Sequence, residues 1–320
     1  MPRRPGPPRP PIHAGLSVPE PVLTEAFDEA GADPGAEPGA WVRLRHGAYV
    51  PAATLSSDPY LRARQLALAH ATAVVRQSDA DPILSHSSAA LAWGLPLHQL
   101  PTTAHVVQEV RRAGNAARDV VRHHRHATGP DRALHRGLPV TSLARTVVDC
   151  ACTLGPRGGI VVADAAIAAG LTRQACTELL SQMRGARGVR TARAVLAAAD
   201  DGAESPGESL TRLAVLAAGL PAPTTQVPVD THLGVFWLDL GWPASKVGIE
   251  FDGAVKYGAS PSEVLIREKR RQDALEEAGW LLIRLMAVDL RDSWAVALRV
   301  LRALRRRGPV DLAPRPLLGA

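Results

Sequence analysis

Three carboxylates crowd one short stretch of the chain: Asp239, Glu250 and Asp252 all fall within WLDLGWPASKVGIEFDG, residues 237–253. Side chains alternate along a strand, so Glu250 and Asp252 leave one face while Ile249 and Phe251 pack on the other. If residues 234–240 pair antiparallel with 246–251 across a turn at Gly241 to Ser245, Asp239 stands on the adjacent strand within reach of Glu250. Carboxylates this close repel, and ionising all of them is costly unless a cation joins them. Hard oxygen donors select a hard ion, Mg2+ or Mn2+. Such an ion activates water and offsets charge that builds on a phosphodiester during in-line attack. Glu208, further upstream, opens a helix and has two readings: a further ligand that orients the water, or an acid that interacts favourably with the helix dipole. A plainer reading of Asp239 and Asp252, as caps of turns, stays beside these.

The elements that must position these groups are legible around them. A helix from Glu208 ends at Gly219 with Pro221 beyond it. Strands follow at 225–229, 234–240 and 246–251. Ser260, Pro261 and Glu263 form a capping box that opens the next helix, which Gly279 stops. A strand at 280–285 and a helix over 293–307 complete an α/β unit of about a hundred residues, an ordinary domain size. The Gly, Ser and Pro content near Asp201 to Pro206 places a boundary there. The expected organisation is a Pro/Arg-rich leader at 1–20, an α+β region over 21–200, the α/β domain over 203–308 and a tail at 309–320.

Within 21–200, WVRLRHGAYV reads as a basic hairpin over Trp41–Val50. Arg43 and Arg45 either lie along a DNA backbone, as in the wing of a winged helix, or are solvated on a structural hairpin. A helix spans 60–77, and Ser85 or Ser87 caps a short one that Gly94 and Pro96 end. Strands are expected at 103–110 and 119–126. In the second, His124 and His126 share a face, either as a metal pair or as a solvated face with Arg122 and Arg125. Thr141 or Ser142 caps a helix reaching Ala151, in which Asp149 is expected to hydrogen-bond a neighbouring loop. Helices over 160–169 and 173–183 follow.

Composition sets the outer limits. The 320 residues are 46% hydrophobic and 21% charged, a globular balance, and exceed what one core usually holds. No apolar run reaches the roughly 20 residues that cross a bilayer, and the basic N-terminus is broken by Pro rather than followed by an apolar segment. A net charge of +6 favours polyanionic partners, although 34 of the 37 basic residues are arginine, as base composition alone would produce. Cys150, Cys152 and Cys176 lack CxxC spacing and sit in Ala-rich patterns. They suit a reducing cytoplasm and imply neither a disulfide framework nor zinc.

GES at 207–209, WLDLGWPASKVGIEFDG and EKRRQDALEEAGWLLIRL together resemble the very-short-patch-repair branch of the restriction-endonuclease-like (PD-(D/E)XK) superfamily. They resemble still more the related uncharacterised domains at the C-terminus of actinobacterial proteins. The resemblance covers about 204–290 and implies a mixed central sheet flanked by helices, metal-dependent cleavage of DNA, Mg2+ or Mn2+ on Asp239 and Glu250, and Glu208 as the helical acid. The superfamily places Lys two residues after the second acid, where this chain has Asp252. The lysines left for that role are Lys246, Lys256 and Lys269, the last on the capped helix. Glu208, Asp239, Glu250, Asp252 and Lys269 are therefore the catalytic candidates. HGAYV, SHSSAALAWGLPL and GLPVTSLARTVVDCA resemble segments of AbiEi-type (type IV) antitoxins over about 42–151. That likeness implies a winged-helix-like, DNA-binding front end through Arg43 and Arg45, and a cognate toxin as partner. No organic cofactor and no membrane are expected. A non-enzymatic transcription regulator with a degenerate nuclease domain is the competing expectation.

Overall fold

The computed structural model describes residues 19–109, 117–124, 129–252 and 261–319. Arg125, His126, Lys256 and Ser260 lie outside the described residues, as does the side chain of Glu263. The described residues form three sheets flanked by helices, an α/β architecture.

The first sheet is small. Strand β1 (Val22–Leu23) and helix α1 (Thr24–Ala30) precede the hairpin of β2 (Trp41–Arg45) and β3 (Ala48–Pro51), in the order β1-β3-β2. Phe27 of α1 meets Trp41 and Tyr49 edge-on, with ring centroids 4.8 and 5.6 Å away, the favoured aromatic geometry. The expected basic hairpin is thus present. Its helix, TEAFDEA, has seven residues and carries no basic side chain, so it lacks the chemistry of a recognition helix. Helix α2 (Pro59–Arg76) then starts where Asp58 accepts a hydrogen bond from Leu61 N at 2.8 Å.

The second sheet comprises β4 (Ile83–Leu84), β5 (Ala104–Gln108), β6 (Val120–His124), β7 (Arg132–His135) and β8 (Leu138–Thr141), ordered β6-β5-β4-β8-β7. Helix α3 (His86–Ala92) follows β4 directly. The β7–β8 hairpin is absent from the sequence reading, which took LPVT as the lead-in to a helix. Leu138 and Val140 alternate inward there, a period-two signal too short to stand out. Ser142 is the cap, accepting from Arg145 N, and α4 (Leu143–Thr153), α5 (Gly155–Ala168), α6 (Arg173–Gln182) and α7 (Val189–Ala198) follow. Helix α5 begins five residues before the expected start because Pro156 occupies its first turn, where a missing N–H costs nothing.

The third sheet holds the carboxylates. Helix α8 (Pro206–Ala217) leads into β9 (Thr224–Thr231), β10 (Gly234–Trp242) and β11 (Val247–Asp252). Helix α9 (Pro261–Glu277), β12 (Leu281–Met286) and α10 (Ser293–Arg305) complete it. The order β12-β11-β10-β9 is mixed: β9, β10 and β11 run antiparallel in turn, and β12 is parallel to β11.

The turn near Asp201 to Pro206 does not divide two cores. A single cluster of buried apolar residues takes in Val147, Ile160 and Leu196 before the turn and Leu213, Ile249 and Val300 after it. A buried ion pair crosses as well: Arg212 of α8 donates to both carboxylate oxygens of Asp164 of α5 at 2.7 Å. Asp164 also accepts from Asp200 N at 2.8 Å. Arg157 of α5 reaches Ser293 Oγ at 2.9 Å and Leu290 O at 3.0 Å.

Candidate functional site

The register of the β10–β11 hairpin decides where the acids stand. The paired register runs Leu240 to Ile249, Gly241 to Gly248 and Trp242 to Val247. Beyond it Leu238 packs with Leu275 and Trp280 and lies over Gly248, while Leu240 joins Ile249 in the other cluster. Asp239 lies between them with its charge felt at both Glu208 and Glu250. Leu238, Leu240 and Ile249 are fully buried, and each such side chain stabilises the fold by about 1.5–3 kcal/mol. The apolar anchors therefore hold the acids in place. Asp239 Oδ2 accepts from Phe251 N at 2.7 Å, so the carboxylate leans along β11.

Helix α8 brings the third acid. Gly207 is the reason it fits: a Cβ there would come within 2.0 Å of the Phe251 ring. With that clearance the first turn of α8 packs on β11, and Glu208 is buried beside Asp239. Ser205 caps the helix. Glu208 Oε1 accepts from Ser205 Oγ at 2.8 Å and Oε2 from Glu204 N at 2.8 Å, while Ser205 Oγ accepts from Glu208 N at 3.2 Å. The reciprocal arrangement is a capping box, which satisfies donors at the helix start.

Glu250 is held by two arginines. Arg271 Nη2 of α9 lies 2.6 Å from Oε1, and Arg284 Nε of β12 lies 3.7 Å from Oε2. Arg271 also donates to Trp237 O at 3.0 Å and sits 5.6 Å over the Phe236 ring. Glu268 lies near both arginines.

Burial and mutual repulsion govern the protonation of these groups. Glu208 is pushed up to about 7, first by burial and then by the charge of Asp239. Asp239 is raised by burial, with the Phe251 N–H and Arg271 opposing and Glu204 and Asp252 reinforcing. Glu250 is raised by burial against the pull of Arg271 and Arg284, with Asp239 and Glu268 adding to the rise. The three form one electrostatic row with Asp239 in the middle.

The sequence-derived site is corrected in two respects. Glu208, Asp239 and Glu250 do not form a group whose ligand oxygens all lie within 4.8 Å of one another. Oxygens about 2.1 Å from one Mg2+ stand no more than roughly 4.2 Å apart, so the three do not share one ion as arranged. Glu208 is spent on its helix start, which leaves Asp239 and Glu250 as the pair of hard donors, a number that Mg2+ sites commonly use together with water. Lys269 is exposed on α9. The cation that α9 turns toward Glu250 is Arg271, two residues on. Asp252 is exposed at the end of β11. Its charge is felt at Asp239.

The two arginines expected at DNA differ. Arg43 is exposed, with Nε donating to Arg45 O at 3.4 Å. Arg45 is turned inward: its Nε lies 2.9 Å from Asp119, which His70 also contacts at 2.9 Å. It ties the hairpin to the segment before β6 and is unavailable to a phosphate in that position.

A second cluster went unseen in the sequence. His86 at the start of α3, His105 of β5 and His123 of β6 bring ring nitrogens within 4.8 Å of one another, and among the described residues they form the one such group of three or more histidine, cysteine or acidic side chains. His105 Nδ1 and His123 Nε2 are 3.1 Å apart, and the His86 and His123 rings stack with centroids at 3.7 Å. Burial lowers all three: His86 to about 2, with His123 and His105 contributing, His123 to about 4, and His105 below its ordinary value. Of the pair expected from alternation, His124 is exposed and His126 lies outside the described residues. The signal that could have found the cluster is the offset of two residues between His105 and His123 on parallel strands, where Val107 faces His123.

Comparisons with known proteins give relatives rather than roles. No family model matches the chain. The uncharacterized proteins MT2308 and Rv2248, from two strains of Mycobacterium tuberculosis, are each 34% identical over 173 residues, 53% of this chain and 63% of the relative. The chain thus spans under two thirds of the length of the curated relatives it matches. The crystal structure of the RV2827C protein of Mycobacterium tuberculosis aligns at 21% identity with a TM-score of 0.33, over 56% of this chain and 72% of that one. No described helix is long and apolar enough to cross a membrane.

Proposed function

We propose that the protein acts on DNA and that its third sheet is a restriction-endonuclease-like domain that hydrolyses phosphodiester bonds with Mg2+ or Mn2+. The observation that carries this reading is the gathering of three acids at one end of a mixed sheet, Asp239 of β10 close enough to act on both Glu250 of β11 and Glu208 of the preceding helix. Asp239 and Glu250 would hold the cation, which when bound supplies Lewis-acid polarisation of the phosphate and of an attacking water. The hard oxygen donors fit such an ion in kind, with Glu250 Oε1 now held by Arg271 at 2.6 Å. Arg271 would release Oε1 and turn its guanidinium, kept charged at every working pH, toward the phosphate. Glu208, poised near neutrality, is suited to take a proton in the row, since a base works best with its pKa near the operating pH. Arg271 would thus provide the positive charge that the family pattern assigns to lysine.

A second reading is favoured by one observation: the two arginines already neutralise Glu250. On that reading the domain is a degenerate nuclease and the chain an AbiEi-like, non-enzymatic regulator, with DNA and a cognate toxin as partners. Either activity belongs in the cytoplasm, in keeping with three free cysteines.

Incubation of the full chain with duplex and single-stranded DNA and Mg2+ or Mn2+, beside Glu250→Gln, separates the two. Cleavage by the unaltered chain alone supports the nuclease. Absence of cleavage by both, with DNA binding retained, supports the regulator.

A further inference from the structure

The histidine cluster takes no part in the acid chemistry and has a geometry of its own. Its residues come from three elements separated by up to 37 positions in sequence, yet their ring nitrogens converge. The geometry points to a transition-metal site: we infer that His86, His105 and His123 bind one Zn2+ ion through three imidazole nitrogens, clipping the start of α3 to the β5–β6 pair.

Four features carry this. Tetrahedral zinc with nitrogens near 2.0–2.1 Å sets them about 3.3 Å apart, and His105 Nδ1 and His123 Nε2 are already at 3.1 Å. His86 has a φ of 50°, a left-handed conformation that is costly for a residue with a Cβ. This backbone starts α3 with the ring stacked on His123 at 3.7 Å, and a rotation of the His86 ring out of that stack would bring its nitrogen's lone pair onto an ion in the plane of the other rings. Ser85 Oγ lies 2.9 Å from His86 Nδ1, the outer-shell contact that fixes a tautomer and leaves Nε2 to ligate. Finally, the histidine ion pairs among the described residues are those of His70 and His232, and none of the cluster's three is held by a carboxylate. Imidazole donors select the zinc class of ions rather than Mg2+, so this site and the carboxylate pair would draw on different metals.

The alternative is a stack of neutral rings joined by a single hydrogen bond. To decide, tag-free full-length protein is stripped with a chelator, dialysed against limiting Zn2+ and assayed for bound metal, alongside His105→Asn, His123→Asn and Asp239→Asn, with folding followed by circular dichroism. One Zn2+ per chain is expected in the unaltered protein and in Asp239→Asn. Each histidine variant should bind at least about 100-fold more weakly, since even outer-shell changes cost 10–100-fold. No retained zinc, or equal retention by the histidine variants, overturns the inference. Should those variants fail to fold, the unaltered protein decides: Zn2+ must shift the ring 15N resonances of three histidines, and Co2+ must give the visible absorption of a tetrahedral site. Absence of both overturns it.

Discussion

The carboxylates on the C-terminal sheet and the histidines on the N-terminal sheet are both trios of buried or half-buried ionisable groups, and they manage burial in opposite ways. The acids are surrounded by compensation: Arg271 and Arg284 at Glu250, a backbone N–H at Asp239 and a capping box at Glu208. The histidines are left neutral by desolvation, with only one another and Ser85 for partners. The difference follows from charge. Burial disfavours the charged form of both: it raises the carboxylates, which donors and Arg271 pull back toward ionisation, whereas no carboxylate beside the imidazoles holds their proton. Three acids with built-in arginines can exist with or without a metal, while three neutral imidazoles are already in the state that a soft-to-borderline ion requires.

The sharpest break of this contrast is catalytic. On the nuclease reading, Asp239→Asn should lower the rate of DNA cleavage by roughly 100- to 1,000-fold or more, the scale of losing a principal transition-state stabiliser, and His123→Asn should leave it unchanged. Single-turnover assays on a labelled duplex provide the check. A comparable fall in both variants would merge the two sites into one function.

The Arg212–Asp164 pair tests what a purely structural charge cluster does. Both groups are buried and bidentate, and removing one partner leaves an uncompensated charge, so Arg212→Leu should cost about 3–5 kcal/mol. Urea denaturation measures it. Glu250→Gln should cost far less, because a neutral amide beside Arg271 and Arg284 strands only half-exposed guanidinium groups.

Asp149, a buried acid in neither site, calibrates the effect of pH. Burial raises it from 3.8 to about 7, against the opposing pull of Arg145. The folded state therefore holds its proton more tightly than the unfolded state does. This contribution to stability is fully present below about pH 4 and is lost as pH rises through about 7, a swing on the order of 4 kcal/mol. Asp149→Asn should flatten the stability curve in that window. Curves that coincide would mean that Arg145, 3.0 Å away, keeps the carboxylate charged.

Smaller effects lie at the hairpin. Arg45→Ala, which removes a partly exposed contact to Asp119, should cost about 1 kcal/mol without altering the salt dependence of DNA binding. Arg43→Ala should reduce that dependence by about one phosphate contact with no change in stability.

How much of this was legible in the sequence depended on range. The C-terminal strands and helices were placed nearly to the residue because each signal is local: Gly219 and Pro221 after α8, Gly279 after α9, alternation in β10 and β11. Even the nearness of Asp239 and Glu250 follows from a hairpin only a few residues long. Arg271 could not be chosen over Lys269 from sequence, since the face that α9 presents depends on how it docks against the sheet. The histidine site needed a strand pairing between β5 and β6 and the placement of α3 after β4, none of which is local. Arg45 looked solvated because its partner Asp119 lies 74 residues away.

The central claim, that Asp239 and Glu250 hold a hard divalent ion in the presence of Arg271, is tested most directly by titrating the full chain with Mn2+ and following free Mn2+ by electron paramagnetic resonance. One saturable ion per chain, lost in both Asp239→Asn and Glu250→Gln and retained in His123→Asn, is the predicted result. No saturable binding, or binding that survives both acid substitutions, would contradict it.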